Sequence, residues 1–222
     1  GVKTLDADGR HATDPASESW LVFSGHFFSG HLSPATLLSR LTDRGLACLA
    51  DVDGSFAFAW FDGARRRLSL VRDRVGAEPL FYAQTGAGVL FASRIRDLRA
   101  TGLLPTGISA QGLAEFLTYC YVPSDVTLDK DVHQVPAGGV VVVGPDGRII
   151  ERSRWRTLSF AGPYLTDERA IVEQFRSMLE ATVVRRIGTH RPGVFLSGGM
   201  DSSSILTFLR RHESGPIHSY SY

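Results

Sequence analysis

Apolar residues along this chain switch between period two and the helical period of 3.6, and each switch marks a new element. Residues 1–19 are small and polar with no period, which reads as loop. Trp20-Leu21-Val22-Phe23 is a compact apolar run that predicts a buried strand. Ser33-Pro34 sets a helix start, with Ser as cap and Pro at the first helical position. Leu37, Leu38 and Leu41 give that helix its apolar face, and Gly45 ends it. From residue 53 to 93 the pattern is β. Residues 56–61 and 68–71 flank a hairpin loop at 62–66, and residues 80–83 and 89–92 flank a second one around 85–88. Helices are predicted over 95–100 and 110–119, then short strands over 140–143 and 149–150 joined by Gly144-Pro145-Asp146-Gly147. Residues 156–165 read as a linker. The long helix after it opens on Thr166-Asp167-Glu168 and carries Ile171, Phe175, Met178, Leu179 and Val183 on one face. It closes with Arg185-Arg186 before Gly188, so each end suits the helix dipole. Val194-Phe195-Leu196 is a strand that breaks into Ser and Gly and re-forms as a helix over 205–211, with a last strand over 217–222.

Composition narrows the class. The chain has 222 residues, 43% of them hydrophobic, and a net charge of +1, so nothing favours a nucleic-acid surface or a disordered tail. Arg65-Arg66-Arg67 sits at a predicted loop tip and reads as a solvated turn. No apolar run approaches the length of a membrane span, and no signal-peptide pattern opens the chain. With only Cys48 and Cys120, a reducing, cytoplasmic setting is expected, and either thiol reads as structural.

The chemistry concentrates in Leu196-Ser197-Gly198-Gly199-Met200-Asp201-Ser202-Ser203. A strand feeding a glycine loop that opens a helix points N–H groups and the positive helix end at one spot, which suits an anion. Gly198 and Gly199 permit positive φ and a close approach of phosphate to the backbone. Ser197, Ser202 and Ser203 add hydroxyl donors. A carboxylate beside phosphates is repulsive unless a divalent cation lies between, so Asp201 implies Mg²⁺. A plain Gly-rich turn with a Ser cap is the bland alternative, and the fixed order Ser-Gly-Gly-x-Asp-Ser in strand–loop–helix context weighs against it. The Walker pattern is absent.

This loop resembles the pyrophosphate loop of enzymes that cleave ATP to AMP and pyrophosphate, in particular the synthetase domain of asparagine synthetases and their relatives. Blocks upstream agree in order. Residues 53–62, Val71-Arg72-Asp73-Arg74-Val75-Gly76 with Pro79-Leu80-Phe81-Tyr82, and Phe91-Ala92-Ser93 resemble the glutaminase domain of that family. Tyr121-Val122-Pro123, Val135-Pro136-Ala137-Gly138 and Arg154-Trp155 resemble the stretch that leads into the synthetase. The resemblance implies an α+β glutaminase-like (Ntn-type) sandwich over 1–155, N-terminally incomplete, then the linker and the start of an α/β PP-loop domain over 166–222. A piece of a longer protein is expected, with catalytic residues beyond Tyr222. ATP and Mg²⁺ are the implied cofactors, and His218, Ser219 and Tyr220 fall where the family contacts adenine.

In that family an N-terminal Cys attacks glutamine, and an Asn-Gly-Glu segment supplies an oxyanion donor and holds the ammonium. The Cys would lie upstream of Gly1. The Asn-Gly-Glu position reads Ser24-Gly25-His26, and the family's Ser-Asp-Thr-Glu aligns with Ser33-Pro34-Ala35-Thr36, so Pro34 replaces an acid. Ser is too short to place the amide donor, and one lost oxyanion donor costs roughly 10²–10³ in rate. Ser24, Gly25, His26 and Pro34 therefore mark a degenerate glutamine pocket. His26 and His31, with no ligand partners nearby in sequence, read as ordinary surface or core histidines.

Another amine than ammonia from glutamine is then expected. Relatives with a retired glutaminase domain include lasso-peptide cyclases and β-lactam synthetases. The implied reaction activates a carboxylate as an acyl-adenylate for attack by an amine, with a precursor peptide as the candidate partner. Two alternatives stand beside it: a glutamine-hydrolysing asparagine synthetase, and a non-catalytic peptide- or protein-binding module. The acid, the amine and the oligomeric state are not written in this stretch.

Overall fold

The computed structural model describes residues 10–28, 32–187 and 191–221. Expectations at residues 1–9, His31, Gly188 and Tyr222 lie outside the described residues. Two compact units, Gly1–Ser159 and Phe160–Tyr222, make up the chain. In chain order the first holds β1 (His11–Asp14), β2 (Ser19–Phe27), α1 (Pro34–Arg44), β3 (Gly54–Asp62), β4 (Arg67–Arg72), β5 (Phe81–Thr85), β6 (Gly88–Ala92), α2 (Ile95–Arg99), α3 (Ala110–Tyr119), β7 (His133–Gln134), β8 (Gly139–Val143) and β9 (Ile149–Arg154). A 3₁₀ segment, Gly45–Asp51, follows α1.

Strand alternation builds the first unit in layers. The antiparallel sheet runs β1-β2-β3-β4-β8-β9, and a smaller sheet runs β6-β5-β7. On one face of the large sheet Leu21, Phe23, Phe56, Phe58, Trp60, Val71, Val140 and Val142 meet Leu37, Leu38 and Leu41 of α1, with Cys48, Leu49 and Val52. On the other face Ala57, Ala59, Leu70 and Val141 meet Leu80, Tyr82 and Val135. In β3 Phe56, Phe58 and Trp60 face the helix layer, while Phe61 turns to the other face and stacks on Trp20. Its alanines face the second sheet, where less room is left. Because both faces are covered, β8 reads as four consecutive valines rather than an alternating strand. The outer face of the small sheet is closed by Leu98 of α2 with Ala83 and Val132. The order is helix, sheet, sheet, helix.

The helix start at Ser33-Pro34 is as the sequence predicts: Ser33 Oγ accepts from Thr36 N at 3.1 Å, and Leu37, Leu38 and Leu41 are buried. One expectation fails. His11–Asp14 is an edge strand paired with β2, not loop. Four residues with one buried alanine are too short to produce a periodic signal, and only the partner strand reveals them.

The turn after β4 is held by two charged side chains acting on backbone. Asp73 is fully buried. One carboxylate oxygen accepts from Val75 N (3.0 Å) and Ala77 N (3.1 Å), the other from Glu78 N (3.0 Å) and Phe56 N (3.3 Å). Arg72 donates to the carbonyls of Glu78 (2.6 Å), Gly76 (2.5 Å) and Val135 (2.9 Å). Gly76 takes φ +69°, and a Cβ there would lie 3.0 Å from the guanidinium carbon of Arg72. Burial lowers the Arg72 pKa from its ordinary value, while the nearby Asp73, Asp125 and Glu78 charges pull it back up. The Arg-Asp-x-x-Gly spacing is therefore a backbone clamp between β3 and the segment that leads into β5.

The second unit holds α4 (Glu168–Ile187), β10 (Gly193–Phe195), α5 (Met200–His212) and β11 (His218–Tyr220). β10 and β11 are parallel and joined through α5. Val183, Val194, Phe208 and Leu209 form its core with Leu179, Ile187, Leu206 and Ile217. Glu180 ties α4 to α5 through His212 (2.9 Å) and Arg211 (3.7 Å). Only the C-terminal half of the predicted α4 face packs here. Phe175 and Met178 are 66% and 62% exposed. Among the described residues no helix is long and apolar enough to cross a membrane.

Two outcomes follow from this packing. Replacing Asp73 with Ala strands four amide donors and should cost the first unit about 3 kcal/mol or more. All three tryptophans lie in that unit, so the loss reads as a fall in the urea midpoint of Trp fluorescence. Cys48 is fully buried and its thiol pKa is raised by that burial, whereas Cys120 is exposed. A thiol reagent should modify one cysteine in the native chain and both in denaturant, and Cys120→Ser should abolish native labelling.

Candidate functional site

The loop between β10 and α5 is fixed at its entrance by the last strand. Leu196 N donates to Tyr220 O at 2.8 Å, and Leu196 O accepts from Ser221 Oγ at 2.8 Å. Gly198 has φ +78°, and a Cβ there would meet nothing within 4 Å, so conformation rather than space calls for glycine. Gly199 departs from expectation. It has φ −78° and ψ 165°, an extended residue that acts as the N-cap of α5. One left-handed residue is enough to turn the strand, and the next must be extended to open a helix.

The serines also differ from the picture of free donors. Ser202 Oγ donates to Gly199 O (3.2 Å) and accepts from Ser197 N (3.3 Å), and Ser203 Oγ donates to Gly199 O (2.8 Å). Ser197 Oγ accepts from Gly199 N (3.3 Å) and lies 3.1 Å from Ser202 Oγ. The hydroxyls knit the loop to itself. No side chain caps α5, so the first-turn amides of an otherwise complete helix supply its donor character. Asp201 is an exposed carboxylate in that first turn, where the dipole favours it. Among the described residues no group of three or more His, Cys, Asp or Glu side chains could hold a metal ion. A lone carboxylate still fits Mg²⁺, which typically takes one or two protein carboxylates and completes its shell with phosphates and water. His218, Ser219 and Tyr220 of β11 are exposed beside the loop's entrance.

The second group of predicted residues separates. Ser24, Gly25 and His26 are consecutive on β2, opposite Ala57, Phe56 and Ser55 of β3. Pro34 opens α1, and no hydrogen bond or ion pair among the described residues joins it to them. Gly25 takes φ +110°, and a Cβ there would lie 2.0 Å from Ser55 O and 2.9 Å from Glu78 Cγ. The Ser55 carbonyl and the positive φ require glycine here, and beside them lies Glu78, which no motif in the sequence singles out. Its side chain crosses Gly25 and reaches Ser24 Oγ at 3.3 Å and Ser55 Oγ at 3.4 Å. Nothing in the local pattern marks this residue, because the clamp at Arg72 and Asp73, not periodicity, brings it to β2. The segment of the expected empty pocket thus holds a carboxylate.

Comparison with known proteins gives the family. The family model of a glutamine amidotransferase domain matches residues 19–155, and that of asparagine synthase matches residues 174–222. The chain is 29% identical over 204 residues to asparagine synthetase [glutamine-hydrolyzing] 3 of Bacillus subtilis, covering 89% of this chain and 33% of that protein. It is 25% identical over 189 residues to a putative asparagine synthetase of Methanocaldococcus jannaschii, covering 83% and 36% respectively. An amidase, chyE, of Penicillium rubens is 30% identical over 165 residues, covering 72% of this chain and 24% of the amidase. The chain therefore spans about a third of the length of the curated synthetases it matches. Among solved structures, a glutamine phosphoribosylpyrophosphate amidotransferase from B. subtilis superimposes with a TM-score of 0.45 at 13% identity, covering 96% of this chain and 48% of that one. With an amidotransferase domain followed by an asparagine synthase segment, the chain belongs to the asparagine synthetase family.

Proposed function

We propose that this chain belongs to an ATP-dependent amide-forming ligase whose glutaminase-type domain no longer hydrolyses glutamine, with a peptide amine attacking a peptide carboxylate as in macrolactam or lasso-peptide closure. One observation carries the ligase half: Gly198 turns the chain by its positive φ into the side-chain-uncapped N-terminus of α5. Ser24 in place of an amide donor supports the retirement of the hydrolytic site.

ATP is a substrate in this reading. A carboxylate oxygen attacks the α-phosphorus, forming an acyl-adenylate and releasing pyrophosphate. An amine then attacks the acyl carbon, AMP leaves, and the amine proton passes to solvent or base. Leu196, Ser197, Gly198 and Gly199 shape the cradle, and the first-turn amides of α5 donate to the leaving pyrophosphate. The Ser202 and Ser203 hydroxyls turn about one bond from Gly199 O toward that anion. Asp201 would hold Mg²⁺, which supplies charge neutralisation to the phosphates. The domain boundaries we favour are 1–155, a linker over 156–165, and 166–222.

A second reading, a glutamine-hydrolysing asparagine synthetase, is favoured by the activity for which the Bacillus subtilis relative is named and by the carboxylate at Glu78. The test takes the intact protein. Radiolabelled pyrophosphate should exchange into ATP when the correct acid is supplied, and glutamine alone should yield no glutamate. Asp201→Ala should slow exchange by about 10²-fold or more, the scale of several kcal/mol of charge stabilisation. Glutamate release would favour the second reading, and exchange in neither variant nor parent with any peptide or aspartate acid would end the first.

A further inference from the structure

Two reverse turns from different sheets meet at one end of the first unit, one joining β5 to β6 and the other joining β8 to β9. Their junction leaves a recess of about 460 Å³, a size that suits a small molecule. The two backbones run against each other there: a Cβ on Gly147 would lie 3.2 Å from Gly88 Cα. The side-chain amide of Gln84 fastens them. Its Nε2 donates to Gly147 O (3.0 Å) across the junction and to Thr85 O and Gly88 O (3.2 Å each) on its own hairpin, and its Oε1 accepts from Ile149 N (3.1 Å). Thr85 Oγ1 donates to Gly88 O (2.9 Å) and accepts from Ala87 N (3.2 Å). The floor is therefore held rigidly, and its own polar groups are spent on one another. What the lining has left is guanidinium. Arg148 and Arg152 both line the recess, and among the described residues neither forms an ion pair. Arg152 is aimed: its Nε donates to the hydroxyl of buried Tyr82 (3.2 Å), and its guanidinium carbon lies 6.0 Å from the centre of that ring. Asp146 is the one acid among the described lining residues, and its Oδ1 accepts from Arg148 N (3.1 Å) within the turn.

We propose that this recess binds a phosphate dianion, free or as the end of a small phosphomonoester, between Arg148 and Arg152. Such a dianion offers three terminal oxygens and two charges, which match two planar donor forks. A carboxylate has two oxygens and is fully served by one fork. The Asp146 oxygen that the turn does not use suits a hydroxyl on the organic part of an ester, and so favours the ester over free phosphate. A net charge of +1 over the chain gives no broad basic face, so the fit is to one small anion rather than to a nucleic-acid backbone. The inference concerns the first unit alone. It uses none of the residues on β2 or in the loop at 197–203, and it stands whatever reaction the whole protein performs.

The experiment titrates the 222-residue chain with glycerol 3-phosphate, inorganic phosphate and succinate, and reads both heat and the urea midpoint of Trp fluorescence. All three tryptophans lie in the first unit, so a raised midpoint reports binding there and not at the loop of 197–203. Glycerol 3-phosphate should bind at least about tenfold tighter than succinate and raise the midpoint. Weaker binding of inorganic phosphate identifies an ester as the ligand, and equal binding identifies the free anion. Arg148→Gln and Arg152→Gln should each weaken phosphate binding at least about tenfold. Arg152→Lys should restore only part of it, because a point charge replaces a fork. Arg148→Gln leaves the Tyr82 contact intact, so it remains a fair test if Arg152→Gln lowers the midpoint without ligand. Arg66→Gln removes an exposed charge outside the recess and should change neither reading. No binding, succinate as tight as either phosphate, an equal loss in Arg66→Gln, or binding that survives both arginine changes would each overturn the inference.

Discussion

The turn that follows β4, and with it the place of Glu78 on β2, depends on the two adjacent charges at the end of that strand. Asp73 gathers four backbone amides, and Arg72 gathers three backbone carbonyls, from the same short segment and its neighbours. Each charged group is held by oriented backbone dipoles, and the Asp73 charge also supports the Arg72 guanidinium. This arrangement satisfies the polar backbone of a turn that has no regular structure to do so. The consequence is geometric. Phe56 N on β3 and Val135 O before β8 are drawn to one turn, so the large sheet and the segment feeding the small one are pinned at a common point. Trp155 Nε1 donates to Arg72 O at 2.9 Å, which adds the end of the unit to the same node.

That node decides what can stand on β2. With its main chain held by Asp73 and Arg72, the Glu78 side chain extends across Gly25 to Ser24 and Ser55. Any residue with a Cβ at position 25 would meet Ser55 O at 2.0 Å as well as the Glu78 stem, and would need a backbone conformation that L side chains rarely adopt. The family resemblance implies acids at the positions of His26 and Pro34, which carry none here. The fold returns one carboxylate to β2 from a different strand end. A pocket can keep its charge while changing the residue that carries it, because field and hydrogen-bond geometry depend on where the oxygens lie, not on which element delivers them.

How far the sequence could reach follows from the range of each cause. Hairpins at 62–66 and 85–88, the capped helix at Ser33-Pro34 and the succession of strand, loop, helix and strand at the end all arise from neighbours within a few residues, and they are legible; the parallel pairing of β10 with β11, 25 residues apart, is not. The edge strand at 11–14 is not, because its identity comes from pairing with Val22, Leu21, Trp20 and Ser19 rather than from its own four residues. The α4 stripe promises more packing than it delivers: its period is helical, but Phe175 and Met178 meet solvent while Leu179 and Val183 meet α5. Glu78 and Ser55 lie beyond reach for the same reason as the edge strand. They are 23 residues apart in the chain, and a clamp made by other residues joins them.

Serine illustrates why residue type alone does not fix the chemistry of either group. In the loop at 197–203, Ser202 and Ser203 direct their protons at Gly199 O, a weak neutral acceptor that each hydroxyl can leave by rotation about a single bond. A phosphate would be a stronger acceptor than that carbonyl, so in the proposed reading the hydroxyls turn to it beside the first-turn amides of α5. At β2, Ser24 and Ser55 direct their protons at a carboxylate, the strongest acceptor within reach, and an anion would have to compete with it and be repelled by it. The same side chain thus rests its proton on a neutral carbonyl in one place and on a carboxylate in the other. What separates the two is the group already holding the proton, and at β2 that group is placed by Asp73.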